Sequence, residues 1–184
     1  MRTAPALVLA LAAVLSLGAC VSDAPVVLPE ESHSYEPIFA SDEEALAAAE
    51  EAFTAFLSVA DTIRQEGGEQ PERLENVAMG ELLRSEVDSF TQFSERGHRT
   101  TGQTRFDTVS LQQYDAHVDE STVFIYLCED FGETDILDSS GASVIGPNRQ
   151  IRWPLVVGFD AVNGSLRVSS IDDWTGDDFC APSS

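Results

Sequence analysis

The stretch Ser121–Asp130 reads STVFIYLCED, and its six residues from Val123 to Cys128 are all apolar or aromatic. Such a run is too short for a helix of its own and too apolar to leave one face in water. It predicts a strand buried on both faces, central to a sheet. Phe124, Tyr126 and Cys128 share one face of that strand, and Val123, Ile125 and Leu127 share the other. One face is expected against helices and the other toward an interior. Whatever fold forms must supply cover for both.

The cover is written upstream. Ser41 with Glu44 makes a capping-box pattern, and Asp42 and Glu43 suit the positive end of a helix dipole. Leu46, Ala49, Phe53, Phe56, Leu57, Ala60 and Ile63 then recur at steps of three and four, one broad apolar stripe ending near Gly67-Gly68. Pro71 fits the first turn of a short helix carrying Leu74 and Val77. A third helix follows Gly80, with Leu82, Leu83, Val87, Phe90 and Phe93 inward, and Gly97 ends it.

After Gly97 the period becomes two. In Arg99–Tyr114, Phe106 is out of phase with Val109 and Leu111, and an extra residue near Asp107 and Thr108, a β-bulge, reconciles them. Ile136 and Leu137, Ser139-Ser140-Gly141, and Ser143 to Ile145 read as a short hairpin excursion. Ile151, Trp153, Leu155, Val157 and Phe159 alternate with Arg152, Pro154, Val156, Gly158 and Asp160. Pro154 marks a strand start, an edge or a bulge. Asn163-Gly164 is a hairpin turn that returns the chain through Leu166 to Ile171. Trp174, Phe179 and Cys180 close the sequence.

Helices first and antiparallel strands after them predict an α+β fold. Three helices followed by a curved meander, over Ser41–Cys180, resemble the nuclear transport factor 2-like (cystatin-like, SnoaL-like) fold. That resemblance implies a long first helix packed into a bent sheet, forming a cone with a cavity. Its enzymes place Asp, His or Tyr inside the cone for proton abstraction or dehydration. Asp107, Tyr114, His117 and Asp160 lie on or near strands and are the candidate cavity polar groups, though none falls in a matching catalytic motif.

The N-terminus carries an address. Arg2 is the only charge before residue 23, and Ala6–Leu17 is an apolar run too short for a comfortable membrane span. It ends in Leu17-Gly18-Ala19-Cys20, which resembles the bacterial lipoprotein signal. That family implies removal of residues 1–19, lipidation of the Cys20 thiol and an anchor in the cell membrane on its extracytoplasmic face. A diacylglycerol supplies two chains, enough for stable anchoring. A plain secretory signal with an incidental cysteine is the alternative. Residues 20–40 read as a linker, with Pro25, Pro29 and Pro37, several acids and no Lys or Arg. His33 sits there as a solvated residue. Residues 41–184 form one domain.

The chain is also similar to small extracytoplasmic lipoproteins of actinobacteria, in which a central-strand cysteine and a C-terminal one recur as a pair. That resemblance implies a Cys128–Cys180 disulfide, the only intramolecular one left once Cys20 is acylated. A buried free thiol at Cys128 and a reactive one at Cys180 are the alternative. No CxxC motif is present, which argues against a redox role.

Charge narrows the partners. The 184 residues hold 32 Asp and Glu against 10 Lys and Arg, all arginine, for a net charge of -22. Nucleic acid and direct adsorption to anionic lipid are excluded for want of a basic patch. The acidic clusters Glu129-Asp130 with Glu133 and Asp135, and Asp172-Asp173 with Asp177-Asp178, lack the spacing of a calcium loop and read as solvated loop charge. His98, after the helix-ending glycine, reads as a cation at a negative helix end. No metal site and no cofactor motif is found. The expectation is a non-catalytic, membrane-anchored interaction or accessory domain with a protein or small-molecule partner. Binding of a small apolar ligand in the cone, and a SnoaL-like lyase or isomerase, are the alternatives.

Overall fold

The computed structural model describes residues 38–115 and 122–181. The signal segment, Cys20, the linker through Pro37 with His33, Ser121, and His117 in the connection 116–121 lie outside the described residues. The order is α1 (Asp42–Gln65), a short 3-10 helix (Pro71–Asn76), α2 (Gly80–Glu95), β1 (Arg99–Thr101), β2 (Arg105–Asp115), β3 (Thr122–Asp130), β4 (Asp135–Leu137), β5 (Arg152–Val162) and β6 (Ser165–Asp173). The fold is α+β with antiparallel strand pairing. Of the three expected helices, two are α-helical. The middle one spans only six residues and takes the tighter 3-10 form common in such short pieces.

Helix α1 begins and ends as its sequence dictates. Ser41 Oγ accepts the Glu44 N–H at 3.3 Å, while Glu44 Oε2 reaches back to the Ala40 N–H at 2.7 Å. This is a capping box whose return bond lands one residue early. At the far end Gly67 N–H bonds Arg64 O at 3.1 Å and Gly68 N–H bonds Ile63 O at 2.8 Å. That pair is a Schellman motif, and both glycines have positive φ. A Cβ on Gly68 would also sit 2.4 Å from the Phe90 carbonyl oxygen, so the turn doubles as the contact between the helices.

Four strands form the main sheet in the order β2-β3-β5-β6, with β1 and β4 in a separate pair. The interior position of β3 follows from its apolar run. Its odd-numbered face, Val123, Ile125 and Leu127, is fully buried with Leu155, Val157, Phe159 and Val168 against Phe53, Phe56, Ala60 and Ile63 of α1. The even-numbered face differs from expectation. It does not look into an interior, because helices and core share the odd face. Phe124 and Tyr126 are half-buried, and the C-terminal tail covers Tyr126. Tyr126 meets Trp174 and Phe179 edge-on, at ring-centroid distances of 5.1 and 6.1 Å. Cys128 is bonded to Cys180, with Cα atoms 5.5 Å apart. Phe124 lies over Gly158, where a Cβ would come within 2.7 Å of the ring, so only glycine lets the ring settle.

The expected bulge is present. Register shifts between Asp107 and Ser110, and Thr108 takes a φ of 56°. A second shift at Leu111–Gln113 and another in the β5–β6 pair were not anticipated. The run from Arg99 is not one strand but two. The chain leaves β1 at Gly102, and Asp61 captures Thr104 before β2 starts. The Asn163-Gly164 turn joins β5 to β6 with positive φ at both residues. Pro154 stands near the start of β5, where the proline rule placed it. Ile151 and Trp153 share the alternation of Leu155, Val157 and Phe159 but not their burial. They precede the part of β5 that α1 covers and remain exposed. The far edge of the sheet is sealed: Val168 N–H bonds Val77 O and Met79 N–H bonds Val168 O, at 3.0 and 2.9 Å.

Replacing both Cys128 and Cys180 by alanine is expected to lower unfolding stability by up to about 4 kcal/mol, since the bond closes a long loop. Urea titration of the two proteins measures this. An unchanged midpoint would show that the tail holds without the bond.

Candidate functional site

The sequence-derived candidates do not converge. Asp107, on the bulge of β2, is exposed and chelated by Arg152, with Nη2–Oδ1 at 2.6 Å and Nη1–Oδ2 at 2.9 Å. Arg152 also donates to Asp130 Oδ2 at 3.0 Å and to the Cys180 carbonyl at 3.3 Å. One guanidinium thus joins β2, β3, β5 and the tail. The Arg152 hydrogen bonds, and after them that of Thr108, hold the Asp107 carboxyl below its usual range, and the hydrogen bonds to Asp107 and then Asp130 raise the Arg152 pKa. This is a clamp on the face opposite the helices. Tyr114 lies elsewhere: its hydroxyl oxygen accepts the Phe39 N–H at 3.2 Å, and the two rings stand 5.6 Å apart. Asp160 pairs across the sheet with Thr122 on one side and Arg167 on the other.

The charged site that does form includes Glu129, whose sequence context reads as solvated loop charge. Glu129 and Asp130 belong to β3, not to a loop. The pleat turns Glu129 to the same face as Val123, Ile125 and Leu127, toward α1 and α2. Its register partners are Phe106 on β2 and Trp153 on β5. Arg64 of α1 sits near it, lying over the Phe90 ring at 5.2 Å from the centroid. Asp61 Oδ1 is 3.5 Å from Arg64 Nη1, and Glu86 Oε2 is 4.0 Å from Arg64 Nη2. Two carboxyls therefore pair with one guanidinium, and the Glu129 carboxyl lies within its electrostatic reach.

Their roles differ. Asp61 is buried and satisfied, accepting the Thr104 N–H at 2.7 Å and the Thr104 hydroxyl at 2.8 Å. Burial raises the pKa of Glu86 against the opposing pull of Arg64. The Glu129 carboxyl has no hydrogen bond or ion pair among the described residues. Burial pushes its carboxyl up to about 7; Arg64 opposes the rise, and Glu86 and Asp61 add to it. Such a group exchanges its proton near neutrality, which suits acid–base work or pairing with an incoming cation.

Around this point large side chains pack the interior among the described residues. Phe53, Phe159, Ile63, Leu74, Ile125 and Leu127 are among the largest fully buried side chains. Phe53 stacks with Phe56 and meets Phe106 edge-on. The clefts lie at the periphery. One of about 230 Å³ is lined by Leu57, Asp61, Gln103, Thr104 and Phe106. Another of about 310 Å³ is lined by Phe39, Ala52, Val77 and Leu166. His98 stacks edge-on with Phe93 beyond the end of α2. Among the described residues no group of three or more His, Cys, Asp or Glu is arranged to hold a metal ion, and no helix is long and apolar enough to cross a membrane.

No family model matches the sequence, and no curated protein matches it. Solved structures do. The intermembrane space region of the chloroplast protein ARC6 superposes with a TM-score of 0.50 at 12% identity, over 70% of this chain and 97% of that one. This likeness is one of fold. Aln2 from a Streptomyces species superposes with a TM-score of 0.41 at 14% identity, over 69% of this chain and 88% of that one.

The raised carboxyl has a consequence for stability. The fold disfavours the charged form, so Glu129 imposes no cost while protonated in both states. The cost grows as pH rises from 4.5 toward about 7 and is complete above that. Glu129→Gln is expected to leave stability unchanged near pH 4.5. In alkaline solution it should raise stability by up to about 3 kcal/mol, since a pKa unit is worth about 1.4 kcal/mol. Urea unfolding of both proteins across this range measures the difference. A constant difference would remove Glu129 as the titrating group.

Proposed function

We propose that this chain is an extracytoplasmic lipoprotein, anchored in the cell membrane through acylated Cys20. Its domain is a nuclear transport factor 2-like cone that binds a partner and transforms no substrate. The observation that carries this reading is the filled interior. Where an enzyme of the resembled fold needs a chamber, α1 supplies Phe53, Phe56 and Ile63 against Ile125, Leu127 and Phe159. A packed core leaves the surface as the place for recognition. The Leu17–Cys20 signal and the acidic, proline-bearing linker support the placement of such a domain at a distance from the bilayer.

A second reading, a SnoaL-like lyase or isomerase, draws on Glu129. A carboxyl whose pKa is near 7 is suited to proton transfer. Exchange of solvent deuterium into an enolisable ketone, abolished by Glu129→Gln, would establish that reading over the binding one. The anchoring is tested separately. The wild-type protein is expected to enter the detergent-rich phase on Triton X-114 partitioning, and Cys20→Ala to remain in the aqueous phase. Identical partitioning of the two would remove the lipid anchor.

A further inference from the structure

The helix-covered face of the sheet is not covered to its end. Trp153 and Ile151 are 39% and 44% exposed, two of only three large apolar side chains left so open among the described residues. Strand β6 stops at Asp173, opposite Leu155, so Trp153 has a neighbouring strand only on the β3 side. That neighbour is Glu129. An apolar surface of this kind beside a half-buried carboxyl has no explanation in the packing of the domain. Solvation alone would favour polar residues at Trp153 in β5 and at Ile151 just before it.

The charge around it points one way. No hydrogen bond or ion pair holds the Glu129 carboxyl among the described residues, and the nearby cation, Arg64, is already engaged by Asp61, Glu86 and the Phe90 ring. The local balance is three carboxyls to one guanidinium, within a chain of net charge -22. A cation delivered from outside would pair with Glu129 without displacing an existing bond. The same cation, or an apolar neighbour, would cover the indole of Trp153.

We propose that Glu129, Trp153 and Ile151 form a docking surface for a partner protein, and that the segment received carries an arginine or lysine flanked by apolar side chains. The proposal rests on the binding reading above and gives it an address and a chemistry. Its specificity comes from two requirements met together. The cation is held by the carboxylate, and the apolar flanks remove the indole and Ile151 from water. Either alone is weak at a surface. The raised pKa of Glu129 fits this arrangement, because a paired cation relieves the cost of its charge.

The test uses the full-length protein in detergent micelles and three short synthetic peptides titrated by calorimetry. One alternates arginine with leucine, one arginine with serine, and one glutamate with leucine. The arginine–leucine peptide is expected to bind, and the other two to bind at least about tenfold more weakly. Trp153→Ser and Glu129→Gln are each expected to weaken the arginine–leucine peptide by about tenfold, and Glu72→Gln, on an exposed helix face, to leave it unchanged. Glu129→Gln is expected to fold at least as stably as the parent, so its loss of binding would not reflect unfolding. Equal binding by both variants would place recognition elsewhere and overturn this surface while leaving the binding reading intact. Equal binding of the arginine–serine peptide would reduce the effect to net charge and also overturn it, as would no binding of the arginine–leucine peptide.

Discussion

The structure depends on one contact, the apolar stripe of α1 against the odd-numbered face of β3 and β5. Phe53 is at its centre, touching Phe56 in the helix and Phe106 across on β2. Burial of each large side chain contributes about 1.5–3 kcal/mol, and this interface buries many at once. No other interaction among the described residues has that scale. The disulfide is worth at most about 4 kcal/mol, and exposed ion pairs such as Arg84–Glu81 contribute about 0–1 kcal/mol each. The remaining features are arranged around the packed face. The capping box sets where the stripe begins, the Schellman turn sets where it stops, and Asp61 ties the β1–β2 connection to the same helix.

The opposite face of the sheet is covered differently. Among the described residues no second layer of helices lies on it. A short tail does the covering, using Trp174, Phe179 and Cys180 on Tyr126 and Cys128. Arg152 adds a polar fastening at the same end, through Asp107, Asp130 and the Cys180 carbonyl. A few aromatic contacts would leave such a tail marginal, because ordering its backbone costs about 1–2 kcal/mol per residue. A covalent link removes much of that cost from the folding step, which explains why the tail is held by the strand that most needs cover.

Much of this was legible in the chain. The caps, the helical stripe, the Asp107–Thr108 bulge and the Asn163-Gly164 turn each follow from local rules, and local rules survive when short-range chemistry decides the backbone. The interior place of β3 followed from its apolar run. What escaped was long-range. Glu129 looked like the first residue of an acidic loop because it follows the apolar run and precedes Asp130. Only the length of β3 and its pairing to Trp153 turn it inward. The exposure of Ile151 and Trp153 was not legible, because alternation tells which face a residue occupies, not whether a helix reaches that far. Asp107 and Tyr114 were plausible as cavity groups because they lie on or near strands, but the bulge places one on a clamp, and Phe39 engages the other.

The segment Val77–Met79 bonds along β6 and closes that side of the sheet. Of the two edges of the main sheet, the β2 side is the one with no described segment bonded along it. A sheet with two free edges can extend without limit, copy upon copy. A sheet with one can join a second copy edge to edge, and there growth stops, because the pair has consumed both open edges. For a protein held in two dimensions at a membrane, as proposed above, that asymmetry separates a dimer from a fibre.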